Sequence, residues 1–387
     1  MKELPLILAA LFLKKEVAQM TAVYIHIPFC EHICYYCDFN KVFLEGQPVD
    51  RYVDLLIKEM EMKTEGESLD TVETVFVGGG TPTTLNESQI ERLSESVHRI
   101  FPLSKNVEFS FEANPGDLSI SKLKAMKRSG VNRISMGVQS FNNELLKKIG
   151  RIHTVKDVYQ SIRNMEEVGF ENVSIDLIFS LPGQTEADFK DTLHQALTLD
   201  LPHYSAYSLI IEPKTIFYNL MQKGQLILPT QDAEANMYAF LMNEMERHGK
   251  KQYEISNFAK EGYQSRHNIV YWSNEHYFGF GAGAHGYLSD TRYSNFGPLK
   301  QYMTPLEENR LPLFQTKDLT LKEEMEEEMF LGLRKVSGVS KARFFEKFGQ
   351  ELDTTFKEAI QVTSEKGWLE NTKENVKLTK AGRFFRK

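Results

Sequence analysis

The sequence predicts an α/β protein: an incomplete (β/α)6 TIM-like barrel of parallel strands, followed by a small helical, winged-helix-like domain. Three observations predict it. Six short runs rich in Val, Ile and Phe alternate with amphipathic helical stretches up to about residue 210. Polar and glycine-rich motifs gather at or near the C-terminal ends of these runs, fed by many strands rather than one. Beyond that point the pattern changes, and residues 317–387 read as helices followed by a hairpin.

The apolar runs are 22–27, 72–77, 107–112, 133–137, 173–179 and 204–209. The helical stretches between them are 49–63, 87–100, 119–129, 142–149 with 155–168, and 186–199. Strand–helix alternation implies parallel strands joined by right-handed crossovers. A doubly wound sheet would concentrate its ligand at one switch point. Here polar motifs mark five of the six runs, which favours the barrel. The chain divides into an N-terminal extension (1–21), the barrel (22–230), a barrel-associated segment (231–316) and a terminal domain (317–387). Residues 254–286 are dense in aromatics, Gly, His and Asn and read as a loop-rich stretch. In the terminal domain, apolar spacing predicts helices over 321–333, 341–348 and 352–366, then strands near 368–370 and 375–378, the order of a winged helix.

Composition bounds the function. With 41% hydrophobic and 26% charged residues, the chain of 387 is an ordinary globular protein that can bury a large core. A net charge of -7 argues against a nucleic-acid partner. The terminal domain balances its charges, so it is expected to pack on the barrel rather than read DNA. The apolar run 6–13 is too short to span a bilayer, lacks a strongly basic leader and precedes no clear cleavage site. It is read as lying upstream of a start at Met20, the alternative being an added surface helix. The expected location is cytoplasmic, with at most peripheral membrane contact. Three cysteines within eight positions, and none elsewhere, exclude an intrachain disulfide framework and fit a reducing compartment.

Those cysteines carry the strongest signal. Cys30, Cys34 and Cys37 stand in a C-x3-C-x2-C spacing just after the first run. Three thiolates from one tight loop can ligate three irons of a [4Fe–4S] cubane, leaving the fourth open to a small chelator. The spacing also fits a Cys3His zinc site completed by His26 or His32. Gly78-Gly79-Gly80-Thr81-Pro82 follows the second run, where glycines permit close approach of a ligand to the backbone. It lacks the Gly-Lys-Ser/Thr ending of a P-loop. Glu112 ends the third run, where it could accept from an ammonium or ribose hydroxyl, or form a salt bridge at the core edge with Arg133. Asp176, a carboxylate inside an apolar strand, needs a partner, and a ligand is one candidate. Gln139 and Arg151 carry the same two readings.

Together these pieces resemble the radical SAM superfamily and, within it, the oxygen-independent coproporphyrinogen III oxidase family. The likeness rests on 24–30 (Tyr-Ile-His-Ile-Pro-Phe-Cys), the cysteine triplet, Gly78–Pro82, 111–115, Gly137-Val138-Gln139-Ser140, 176–178 and 181–185. It runs from Tyr24 to about Leu311, with the terminal domain included more weakly. The resemblance implies that S-adenosyl-L-methionine (SAM) chelates the open iron. Gly79, Gly80 and Thr81 would then border its methionyl end, and Tyr24 and Tyr36 would flank the cluster loop, with Tyr36 near the adenine. Glu112, Gln139, Arg151 and Asp176 match the family's SAM-contacting positions.

Two departures from the oxidase matter. The oxidase has a fourth cysteine two residues after the third, where this chain has Phe39, and it carries a longer N-terminal extension. Cys37-Asp38-Phe39 and the stretch His267-Asn268-Ile269-Val270-Tyr271-Trp272 instead resemble the family's heme chaperone branch. That resemblance implies a protein that binds heme and passes it to heme-accepting respiratory proteins, with an electron donor for the cluster. The alternative is oxidative decarboxylation of coproporphyrinogen III by a 5′-deoxyadenosyl radical. His267, beside Tyr271 and Trp272, is a candidate heme ligand or a satisfied histidine in an aromatic cluster; His276 and His285 rank lower.

Overall fold

The computed structural model describes residues 21–384. The apolar run at 6–13 and the start at Met20 lie outside the described residues. Six parallel strands form the barrel wall: β1 (Thr21–Ile27), β2 (Val72–Gly79), β3 (Leu103–Ala113), β4 (Arg133–Gln139), β5 (Asn172–Phe179) and β6 (His203–Ser208). They are hydrogen-bonded in that order, and β6 does not meet β1, so the barrel is open. The crossovers carry α1 (Val49–Thr64), α2 (Glu87–Ile100), α3 (Ile120–Arg128), α4 (Asn143–Lys148) with α5 (Val155–Val168), and α6 (Glu186–Thr198). Local chemistry fixes where several of them start. The side chains of Asn86, Ser119, Asn142 and Thr185 each accept from a first-turn N–H.

The strands alternate in character. Val75, Val77, Phe109, Phe111, Ile134, Met136, Ile175 and Leu177 are buried in the main apolar cluster. Apart from Phe76, the residues that alternate with them are largely polar: Thr74, Ser110, Glu112, Arg133, Ser135, Ser174, Asp176, His203 and Ser205. Side chains alternate across a strand, so these share the opposite face, the barrel interior.

Beyond β6 come α7 (Ile216–Gln222) and α8 (Gln231–Arg247). The stretch expected to be loop-rich then builds structure. It contributes β7 (Asn257–Ala259) antiparallel to β6, α9 (Arg266–Trp272), and β8 (Tyr277–Phe280) parallel to β1. Antiparallel β9 (His285–Leu288) and β10 (Thr291–Asn295) follow, then α10 (Leu299–Glu307) and antiparallel β11 (Leu313–Asp318). The six barrel strands are thus the centre of a 12-stranded mixed sheet. Close backbone contact requires a glycine in β8, because a Cβ on Gly279 would lie 1.7 Å from the His285 carbonyl oxygen.

The C-terminal part has its own core of Met325, Met329, Phe344, Phe348, Leu352, Ile360 and Val376. It comprises α11 (Leu321–Gly332), α12 (Lys341–Phe348), α13 (Leu352–Thr355) and α14 (Lys357–Glu365) with a three-stranded sheet of Val339–Ser340, Leu369–Asn371 and Asn375–Leu378. The helix expected over 352–366 breaks at Phe356, which leaves helical geometry at φ -113°.

Candidate functional site

The cysteine loop leaves the C-terminal end of β1 and is fixed at several points. Phe29–Cys30 pairs in parallel with Val42–Phe43, and the Leu44 N–H donates to the Cys30 carbonyl at 2.9 Å. At its tip, the Tyr35 N–H donates to Ile149 C=O, and Tyr35 C=O accepts from the Phe217 N–H, both at 3.0 Å. The loop is therefore held by the end of α4 and the start of α7. Cys30 is buried; Cys34 and Cys37 are half-buried. Burial pushes the Cys30 thiol up to about 11 and raises Cys37, against the pull of the Thr81 hydroxyl and of Lys41 respectively.

A chain of hydrogen bonds crosses the barrel mouth. Thr81 Oγ1 donates to Cys30 Sγ at 3.6 Å and accepts from Asn114 Nδ2 at 3.0 Å. Asn114 Oδ1 accepts from Arg151 Nη1 at 2.6 Å, and Arg151 Nη2 donates to the Tyr36 hydroxyl at 3.0 Å. Four segments distant in sequence thus join beside the cysteines. Arg151 Nε has no hydrogen-bond partner among the described residues. Glu31, His32, Cys34, Thr81, Asn114, Asp117, Arg151 and His153 line a narrow cleft of about 30 Å³ here.

Deeper in the mouth, the Gly79 N–H donates to Glu112 Oε2 at 2.9 Å. Burial lifts the Glu112 carboxyl to about 7; the Gly79 amide opposes it, the Asp176 charge adds to it and Arg133 opposes it. The structure gives the three glycines a packing reason as well. A Cβ on Gly79 would lie 2.5 Å from the His26 ring, and one on Gly80 2.8 Å from the Phe29 carbonyl oxygen. Asp176 Oδ1 accepts from Ser135 Oγ at 3.2 Å, and burial raises its carboxyl against pulls from Ser205 and Arg133. Gln139 sits where the β4–β5 register slips, at φ 67°. Such a bulge re-aims a side chain. Tyr24 donates or accepts with His26 Nδ1 at 2.9 Å, and His26 Nε2 meets the Asn40 carbonyl at 2.7 Å.

His267 lies apart from this group. It is 1% exposed, on α9 inside the barrel. Its Nδ1 is 2.8 Å from Thr74 Oγ1, its Nε2 2.9 Å from the Tyr271 hydroxyl, and its ring stacks on Phe76 at 5.1 Å. The surroundings match a satisfied histidine in an aromatic cluster, with no nitrogen offered to iron. Asn114, Ser135 and Arg133 join the site without a local motif that marks them as site residues. Their signal was the polar alternation within the apolar strands.

A family model of the radical SAM superfamily matches residues 24–196, and one of the HemN C-terminal domain matches residues 319–385. The heme chaperone HemW of Bacillus subtilis is 54% identical over 95% of this chain and 97% of its own length. The chain belongs to the HemW family. HemW of Lactococcus lactis is 45% identical over 93% of this chain and 94% of its own. The solved structure of coproporphyrinogen III oxidase (HemN) from Escherichia coli matches with a TM-score of 0.83 over 95% of this chain and 88% of that one, at 24% identity, which shows a shared fold.

Membership of the radical SAM superfamily implies a [4Fe–4S] cluster and SAM, and the HemW-family residues fit both. No three His, Cys, Asp or Glu side chains among the described residues converge closely enough for a single metal ion. A Cys3His zinc site completed by His26 or His32 needs that convergence, with sulfurs about 2.3 Å from one ion; of the two, His26 has both ring nitrogens engaged, while His32 lines the cleft beside Cys34. A cubane needs only that its cysteines border one space. A buried thiolate also calls for a cation beside it, which iron supplies. Around the mouth, Phe39, Ile152, Tyr207, Ile210 and Ile227 are exposed on segments at or beyond the C-terminal strand ends, Ile227 at 80%. Among the described residues, no helix is long and apolar enough to cross a membrane.

Proposed function

We propose that this HemW-family chain is a heme chaperone that carries a [4Fe–4S] cluster with exchangeable SAM and passes heme to respiratory acceptor proteins. The observation that carries the reading is likeness along nearly the whole chain, at 54% identity, to a protein named for heme. Phe39, at the place of the oxidase's fourth cysteine, supports it over decarboxylation. Cys30, Cys34 and Cys37 would hold three irons. Bound together, the cluster and SAM supply one-electron chemistry.

The remaining work belongs to side chains. Gly79, Gly80 and Thr81 would border the methionyl end, and Glu112 and Asp176 would accept from ammonium and ribose hydroxyls. Arg151, fixed by Asn114 and Tyr36, locks the cysteine loop to the barrel rim and orients what binds there. The apolar side chains around the mouth offer a porphyrin face a dry contact, which His267 in its enclosed position does not.

The test is anaerobic reconstitution with iron and sulfide, then hemin, then an apo-form heme protein as acceptor. The parent should hold about four irons per chain, lose them in Cys30→Ala, Cys34→Ala and Cys37→Ala, and co-elute with a Soret band that moves to the acceptor. No retained heme, or turnover of coproporphyrinogen III with reductant and SAM, would overturn the reading.

A further inference from the structure

Arg133 opens β4 with its side chain in the barrel interior and is 2% exposed. Strand register fixes its neighbours. Ser110, Arg133 and Asn172 form one row across β3, β4 and β5. Glu112, Ser135, Ser174 and His203 form the next row, and Gly137, Asp176 and Ser205 the one above it. Successive rows lie about 6.6 Å apart along the strands. The guanidinium is therefore rooted one row below Glu112 and two below Asp176. Among the described residues, its Nε has no hydrogen-bond partner, and neither do Ser110 Oγ and Asn172 Oδ1 in its own row. A buried cation is costly unless opposite charge stands near.

The other groups facing it are engaged with partners of their own. Glu108, below on β3, accepts from the Arg266 and His267 amides at 2.9 and 3.1 Å. Glu254 accepts from the Ser256 amide at 2.9 Å and from Asn257, and faces Arg334 at 4.0 Å. His203 and His267 are held neutral by burial and by Arg133 itself, and Tyr253 is a neutral phenol whose hydroxyl meets His203 Nε2 at 2.9 Å. Glu112 and Asp176, in the rows above, are carboxyls on which the Arg133 charge acts.

We propose that Arg133 is a positioning residue for SAM: its buried charge keeps Glu112 and Asp176 in the carboxylate form in which they meet the ligand's ammonium and ribose hydroxyls. The proposal rests on those two residues contacting SAM. Burial drives both carboxyls toward the neutral acid, and Arg133 opposes that drive at each; Arg151 helps at Asp176. Neutral acids would face a cationic ligand without the charge that attracts it.

The experiment is calorimetric titration of the cluster-loaded protein with SAM from pH 6 to 9, for the parent, Arg133→Met, Arg133→Gln and Arg133→Lys. Loss of the charge moves carboxyl ionisation to higher pH; Glu112, at about 7 in the parent, would fall from about half to about a tenth ionised at pH 7 for a rise of one unit, so the neutral variants should bind about fivefold more weakly there. They should regain parental affinity toward pH 9, and Arg133→Lys should follow the parent throughout. Unchanged binding in the neutral variants, or the same deficit at every pH, would overturn the proposal, since the second is the mark of a merely structural role. If neither neutral variant folds, the lysine variant decides: a parental profile supports the charge, a shifted one refutes it. Failure of the underlying reading looks different, because Glu112→Gln would then leave the parent's SAM affinity unchanged.

Discussion

A neutral histidine has one N–H and one lone pair, and binding iron takes the lone pair. At His267 the hydroxyls of Thr74 and Tyr271 occupy both nitrogens. His267→Ala leaves those two buried hydroxyls unpaired and opens a cavity under Phe76, and should cost about 2–4 kcal/mol of stability by urea unfolding at pH 7. Hemin retention by the folded variant should match the parent; its loss would make His267 the heme ligand after all. Burial, with Arg133 adding to it, lowers His267 from its ordinary 6.5 to about 3. The unfolded chain therefore takes up a proton below 6.5 that the fold refuses. The residue's contribution is whole above pH 6.5 and declines as pH falls toward 3. The gap between parent and variant should narrow between pH 7 and pH 4.5. Glu112 has the opposite sense. Burial lifts it to about 7, so it is largely protonated below that pH. SAM affinity should rise as pH passes upward through 7 and then level off, and in Glu112→Gln it should be weaker and lose that rise.

Elements show how a single backbone position governs the site. Gly79 has φ 114°, and a Cβ there would strike the His26 ring that braces the start of the cysteine loop. Gly79→Ala combines left-handed strain with a clash, and should cost at least about 3 kcal/mol and lower the iron content after reconstitution. Gly46 has φ 75° but open space around it, so Gly46→Ala should cost only about 1 kcal/mol and keep its iron. Equal effects at the two positions would mean that φ alone matters. The strands and crossover helices of the barrel were legible because their signals are local: Val, Ile and Phe runs, amphipathic spacing, and Asn, Ser or Thr at the helix starts. The polar interior is legible too, though locally it looks like apolar runs with isolated carboxylates. Parallel strands buried on both faces carry apolar residues on both. Glu108-x-Ser110-x-Glu112-x-Asn114, Asn172-x-Ser174-x-Asp176 and His203-x-Ser205 break that rule at period two. β8 to β11 were missed because they are short and their pairing is set by distant partners, such as Tyr277 with Ala22. At the site, three cysteines in one loop announce themselves. Arg151 finds Asn114 and Tyr36 across 37 and 115 positions, a relation no local spacing encodes.

At the scale of the molecule, two apolar cores meet along a polar seam. Arg334 lies over the Trp272 ring at 4.3 Å, Lys335 donates to Ser273 Oγ at 2.9 Å, and Lys347 donates to the Asn274 carbonyl at 2.8 Å. The seam touches the end of α9, the helix that fills the barrel interior, so the C-terminal part braces that filling from outside. Its most consequential contact is the ion pair of Arg343 with Glu275. The Glu275 side chain is 1% exposed and its Oε2 has no hydrogen-bond partner among the described residues, whereas Arg343 is 42% exposed. Removing the arginine strands a buried carboxylate. The expected cost is about 2–3 kcal/mol, below that of a wholly buried pair because water already screens one side. The chain's two tryptophans make this measurable, since Trp272 reports the seam and Trp368 the terminal sheet. In Trp368→Phe and Trp272→Phe backgrounds, the parent should show coincident urea transitions, and Arg343→Ala should bring the Trp272 transition to lower urea. Adding Glu275→Gln to Arg343→Ala removes the stranded charge and should restore most of the loss. A double variant no more stable than the single would locate the effect in packing rather than in the unpaired carboxylate.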